Sequence, residues 1–166
     1  MSFAKIALIV AMDDDRGIGF EGGIPWTIPE DQKLFKSLTS GHVVIMGRKT
    51  YDSLPVKSRP LPARHNVVIS RSPTQVIETW NSVAQCLKHY REQKNIPAAM
   101  NHERIWVIGG GEVYAQALPL ADEIYLSRVP GKHGADAHFP PFEQEFKCLV
   151  SEQKATFTFE KYQRSS

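Results

Sequence analysis

The chain has 166 residues and a mass of 18.7 kDa, enough for one domain that buries about two thirds of its unfolded surface without disulfides or metal. Twenty basic residues against eighteen acidic ones leave a net charge of +2, which argues against a general nucleic-acid binder but leaves room for a local basic cluster. Cys86 and Cys148 lack partners at metal-ligand spacing and no signal peptide or membrane span is legible, so the expectation is a soluble cytoplasmic protein, monomeric by default.

Lys5 to Met12 is a continuous apolar run too short for a helix of its own, and reads as a strand buried on both faces. Asp13 to Gly23, with four glycines, is expected to be a mobile loop of the kind that covers a site. Gly17-Ile18-Gly19-Phe20-Glu21-Gly22 within it matches G-x-G-x-x-G. Asp13 to Arg16 separate the strand from the first glycine, Pro25 and Pro29 delay the helix, and Thr39 to His42 hold no acid, so the dinucleotide fingerprint is rejected. Thr27 as N-cap, Pro29 early in the turn, and Leu34, Phe35 and Leu38 at helical spacing start a helix. Asp31 lies one turn before Leu34 and Phe35 and shares the face that buries Phe35 and Leu38. An acid there either complements the helix dipole or borders an apolar cleft, where its ionised form needs a hydrogen-bond donor from a ligand.

Gly41 ends that helix and Val43 to Met46 forms a second buried strand. Gly47-Arg48-Lys49-Thr50-Tyr51 puts two cations and a hydroxyl where a strand hands over to a helix, although the P-loop pattern is absent. Arg59 to Arg64 is a rigid proline loop, and Asn66 to Ser70 is a third strand, followed by Arg71. A short strand is expected at Val76-Ile77. Ser82 to Gln93 is an amphipathic helix with Val83, Cys86, Leu87 and Tyr90 on one face, and Asn95 to His102 is an exposed loop. Ile105 to Ile108 is another buried strand. Gly109-Gly110-Gly111 then leads into a helix from Glu112 to Leu118, and three glycines where a plain turn needs one favour the close approach of a pyrophosphate. Glu123 to Arg128 is a further strand. His133, Asp136 and His138 after it match no common zinc spacing, so no metal is assigned. Phe146 to Val150 and Thr156 to Tyr162 alternate as a terminal antiparallel hairpin. The fold expected is therefore α/β, a single domain over residues 1–166 with a mostly parallel central sheet flanked by helices and a C-terminal antiparallel hairpin.

In such sheets ligands bind at the carboxyl ends of the strands, where the cations after Met46 and Ile69, the glycines after Ile108, the loop after Met12 and Asp31 all meet. One cleft can hold an anionic nucleotide beside an apolar ring gripped by an acid. The ordered motifs are Ile18-Gly19, Pro25-Trp26, Pro29-Glu30-Asp31, Met46-Gly47-Arg48-Lys49-Thr50, Pro60-Leu61-Pro62-Ala63-Arg64-His65-Asn66, Ile108-Gly109-Gly110-Gly111 with Val113-Tyr114, and Asp136 before His138-Phe139-Pro140. Over nearly its whole length the chain thereby resembles dihydrofolate reductases of the bacterial chromosomal type.

The resemblance implies NADPH-dependent reduction of dihydrofolate to tetrahydrofolate. It puts the active-site acid on Asp31, accepting from the pterin amino group and its neighbouring ring nitrogen, with Trp26 holding a water and Ser127 in the supporting hydroxyl position. It has Ile9, Ala11, Leu34, Phe35, Leu54 and Ile108 line the substrate and Arg64 pair with the glutamate tail. Arg48, Lys49, Thr50, Ser70 and Arg71 would bind the cofactor's phosphates, with Ala11, Ile18, Gly19, Gly47, Ile108, Gly109, Gly110, Gly111, Glu112, Val113 and Tyr114 around its pyrophosphate and nicotinamide. It also implies a cis peptide bond in the glycine run; the mobile 13–23 loop is expected to close over the nicotinamide. Departures are the extra segment Val56-Lys57-Ser58, Glu112 where some relatives carry a cation, and Gln32 in place of an apolar residue. Another NADPH-dependent pterin or flavin-precursor reductase would share the cofactor residues without needing Asp31, Phe35 and Arg64 together. A noncatalytic nucleotide-binding regulator would bind NADPH without consuming it.

Overall fold

Strand β1 (Lys5–Met12) lies inside an eight-stranded sheet covered on both faces, which is why its apolar run is unbroken. The computed structural model describes residues 2–19, 26–72 and 76–166. After β1 come β2 (Gly17–Gly19), α1 (Pro29–Thr39), β3 (Val43–Gly47), α2 (Arg48–Ser53), β4 (His65–Ile69), β5 (Glu78–Trp80) and α3 (Val83–Arg91). The chain continues through β6 (Arg104–Val107), α4 (Gly111–Ala117), β7 (Glu123–Arg128), β8 (Ala137–His138), β9 (Phe146–Gln153) and β10 (Thr158–Arg164). Strand order is β5-β4-β3-β6-β1-β7-β10-β9, parallel throughout except where β10 runs antiparallel to β7 and β9. The α/β architecture with its terminal antiparallel pair is as the sequence indicates.

Alternation along each strand sorts side chains between two cores. Ile6, Leu8, Val10, Val43, Ile45, Val67, Ile105 and Val107 meet α3 and α4 on one face, through Val83, Cys86, Leu87, Tyr90, Val113, Tyr114 and Ala117. Ala7, Ile9, Val44, Met46, Val68 and Trp106 face the other way, where Phe35 and Leu38 of α1 pack beside Tyr51 and Leu54. Only Thr39 of α1 is fully buried, so the apolar face of this helix is left partly open. Glu123, 2% exposed, sits between Arg104 at 2.6 Å and Lys161 at 3.6 Å. Because both cations keep some access to water, Glu123→Ala is expected to cost about 2 kcal/mol, the loss of charge-assisted hydrogen bonds rather than a stranded buried charge. A lowered urea midpoint at unchanged slope checks this.

Two short strands escape the sequence pattern. β2 pairs antiparallel with β8, so the first part of the expected 13–23 loop is clasped to the segment after β7; residues 20–25 lie outside the described residues. Gly17 is required there, since a Cβ would come 2.6 Å from the Cβ of Ala135 and 2.8 Å from an Asp13 oxygen. The strand expected at Val76-Ile77 forms instead at Glu78–Trp80, and Val76 is 87% exposed. Glu78 gathers Tyr90, Trp80 Nε1 at 2.9 Å and His65 Nε2 at 3.0 Å, and this polar knot fixes where the edge strand pairs. The extra segment Val56–Ser58 is a single 3-10 turn with Val56 exposed.

Candidate active site

The candidate site lies at the carboxyl ends of parallel strands β1 and β7, where α1 brings Asp31 against Ser127. Thr27 does not cap that helix: Pro29 is its first residue, so the N-cap is Ile28, whose carbonyl accepts from Gln32 at 3.0 Å. Asp31 therefore sits in the first turn. Its Oδ1 accepts from the Ser127 hydroxyl at 2.6 Å, and Ser127 is buried in β7 directly opposite Ala11 of β1. Burial raises the Asp31 carboxyl above its ordinary range, and the Ser127 hydrogen bond offsets this only in part. No cation pairs with this carboxylate among the described residues. Close by, the Tyr114 hydroxyl donates to the Ile9 carbonyl at 2.6 Å, and burial together with the Asp31 charge pushes its phenol pKa up.

Beyond Tyr114 lies a cradle of bare backbone. Gly47 N–H donates to the Gly109 carbonyl at 2.8 Å and Ile108 N–H to Ile45 at 2.9 Å, tying the end of β3 to the glycine run. The Gly109-Gly110 bond is cis, as the resemblance implied, and Gly109 has φ of +123°, a conformation that favours glycine. A Cβ at Gly110 would lie 3.4 Å from the Thr50 hydroxyl, and one at Gly111 3.6 Å from the His138 carbonyl and 3.7 Å from Ile18 Cδ1, so Thr50 flanks Gly110 while Ile18 and His138 flank Gly111. Val113 reaches back to within 3.1 Å of a Cβ built on Gly47. Since Gly47 pairs with Ile69, Arg48 and Lys49 emerge beside Ser70 and Arg71, at the ends of neighbouring strands. Arg48 Nε lies 3.2 Å from both oxygens of Asp52.

The sequence model of the family described as Dihydrofolate reductase matches residues 5–164. The chain belongs to the dihydrofolate reductase family. It is 37% identical over 151 residues to Dihydrofolate reductase of Bacillus subtilis (strain 168), covering 91% of this chain and 84% of that one. It is 39% identical over 150 residues to the Mycobacterium tuberculosis (strain CDC 1551 / Oshkosh) protein of the same name, covering 89% of this chain and 87% of that one. Identity to Dihydrofolate reductase type 3 of Salmonella typhimurium is 39% over 137 residues, 82% of this chain and 79% of that one.

The remaining residues expected from the dihydrofolate reductase resemblance fall at differing depths. Phe35, Leu54 and Ile108 are partly buried against the second core with Ile9, and Ala11 is half-buried, whereas Leu34 joins neither core and Glu112 is exposed. Arg64 donates through Nε to the Pro62 carbonyl at 2.9 Å and through Nη1 to the Thr39 hydroxyl at 3.1 Å, with its guanidinium 5.9 Å from the Phe35 ring centroid. Burial lowers its pKa. Trp26 is half-buried with its ring 5.2 Å from that of His133. Sequence reasoning misses Thr39 and His133 as parts of this region, and takes Asp13 only as the start of the covering loop. In the sequence His133 figures only as a candidate metal ligand, and nothing near it there points to Trp26.

Proposed function

We propose that this chain reduces 7,8-dihydrofolate to 5,6,7,8-tetrahydrofolate using NADPH, acting as a cytoplasmic monomer that binds neither nucleic acid nor membrane and supplies one-carbon metabolism. The observation that carries the reading is the part-buried Asp31 carboxylate, braced by Ser127 and unmatched by a cation, at the same carboxyl end of the sheet as the glycine cradle. Near-balanced charge supports the exclusion of nucleic acid, and no helix among the described residues is long and apolar enough to cross a membrane.

The backbone between Gly109 and Gly111 fits a nucleotide because no Cβ closes its approach, and Arg48, Lys49, Thr50, Ser70 and Arg71 supply donors for phosphates beside it. When bound, NADPH supplies the hydride. The chain's own residues orient two rings face to face and exclude bulk water. Asp31 keeps Oδ2 and part of Oδ1 for the pterin's amino group and ring nitrogen, which favours the ionised acid that burial opposes. That contact raises the basicity of the reacting ring nitrogen from the far side, and solvent delivers the proton. Loss of NADPH absorbance on adding dihydrofolate, absent without either compound, tests the activity; tight NADPH binding by a folded protein with no oxidation overturns it in favour of a regulator.

Arg64 in this reading takes the glutamate carboxylate. Arg64→Leu is expected to raise the KM for dihydrofolate about tenfold or more with little change in kcat, since a charge-assisted pair remote from the reacting atoms binds ground and transition states alike. A pterin substrate lacking the glutamate tail should be indifferent to the change.

A further inference from the structure

We infer that His133 is a positioning residue for Trp26, its imidazole fixing the orientation of the indole that the proposed function puts beside the pterin. The inference rests on that reading for its kinetic consequence and on geometry for the contact itself. The two rings lie 5.2 Å apart between centroids with planes at 59°, within the range of favourable tilted aromatic pairs. Trp26 precedes the first residue of α1 by only three positions, so what turns the indole also bears on the approach to Asp31.

Such a contact can orient Trp26 only if His133 is itself held, and it is held from two sides. Val129 N–H donates to the Met12 carbonyl at 2.8 Å, Asp14 N–H to Gly131 at 2.9 Å, Gly131 N–H to Asp14 Oδ2 at 2.8 Å, and His133 N–H to Asp13 Oδ2 at 2.9 Å. These bonds stitch residues 129–133 to the end of β1. Asp13 is 3% exposed, and its Oδ1 takes the N–H groups of Asp15 at 2.9 Å and Gly17 at 2.7 Å. Burial alone would raise its pKa, but the donated N–H groups and the nearby His133 bring it below the ordinary value, so the anchor is ionised at neutral pH. The ring is pinned as well: Nε2 lies 3.0 Å from the Pro130 carbonyl, which only accepts, so Nε2 carries a hydrogen. His133 is otherwise exposed and joins neither core, so a held imidazole here serves the indole rather than the fold.

Kinetics and emission of His133→Ala and His133→Phe test the assignment. His133→Ala is expected to raise the KM for dihydrofolate about three- to tenfold, the range an aromatic pair supplies, with kcat within about twofold. The KM for NADPH should not move. Emission assigned to Trp26, by difference against Trp26→Phe counterparts, should shift to the red in His133→Ala as water reaches the indole. His133→Phe keeps a ring and should restore both KM and emission. Unchanged KM and emission in His133→Ala, or equal impairment in the two variants, overturns the inference. A wild type inert toward dihydrofolate overturns the proposed function instead, and the emission comparison then still decides the contact.

Discussion

Replacing Asp31 with asparagine lowers kcat/KM for dihydrofolate at pH 7 by about 10²- to 10³-fold, the scale of a lost acid-base contribution. Asparagine keeps the size of the side chain and an oxygen for the Ser127 hydroxyl, so the site should not collapse. What it loses is charge, and it offers an N–H₂ where the pterin's amino group needs an acceptor. Part of the rate should return as pH falls and substrate arrives already protonated at the reacting nitrogen. Equal activity of the two proteins at pH 7 removes Asp31 from this role.

The same substitution is expected to stabilise the fold at pH 7. Burial raises the Asp31 pKa in the folded chain, so the folded state holds this proton more tightly than the unfolded one. The resulting stability is fully present below about pH 4, the unfolded value, and is lost as pH rises through the raised folded value. At pH 7 an ionised, part-desolvated carboxylate is therefore a cost that Asp31→Asn removes. Urea melts should show a higher midpoint for the variant at pH 7 and a closing gap in acid. A less stable variant at pH 7 would mean that the charge is compensated in the free protein.

Arg48→Glu is expected to raise the KM for NADPH about 30-fold and the KM for NADH less than about threefold, because a ribose phosphate loses a charge-assisted partner and gains a repulsive one. Stability should hardly change. Arg48 pairs with Asp52 one turn on in α2, an exposed pair for which reversal of sign costs only about 0.5 kcal/mol. The Asp52 pair also means that Arg48 must exchange a carboxylate for the phosphate, so Asp52→Asn is a useful companion with the opposite sign. Equal losses for the two cofactors in Arg48→Glu count against this residue as the discriminator and leave Lys49 and Arg71 as candidates.

Strands β1, β3, β6 and β7 were legible because both faces are covered, which forces unbroken apolar runs that no helix of that length imitates. The α3 face was legible for a different reason: Val83, Cys86, Leu87 and Tyr90 recur at helical spacing and all are buried. β2 and β8 were not, being three and two residues long and held by a pairing between distant segments rather than by any periodicity of their own. β5 moved because polar contacts to Glu78, not apolar pattern, decide its place. Within the site, the spacing of Asp31 to Phe35 and Leu38 foretold a carboxylate beside an apolar face. Ser127 came only through family resemblance, since nothing local to a hydroxyl in an apolar strand says what lies across the sheet. Thr39 and His133 acquire meaning solely from Arg64 and Trp26, which are far away in the chain.

Strand β1 lies between β6 and β7, so its sheet neighbours come much later in the chain, among residues 104–128. A nascent chain must carry this strongly apolar strand unpaired until residues 104–128 have left the ribosome. Closing so long a loop before any pairing energy returns makes assembly slow and exposes the strand to chaperones and to other nascent chains. Yield of soluble protein on overexpression should thus depend more on translation rate and holdase capacity than on the equilibrium stability of the finished fold.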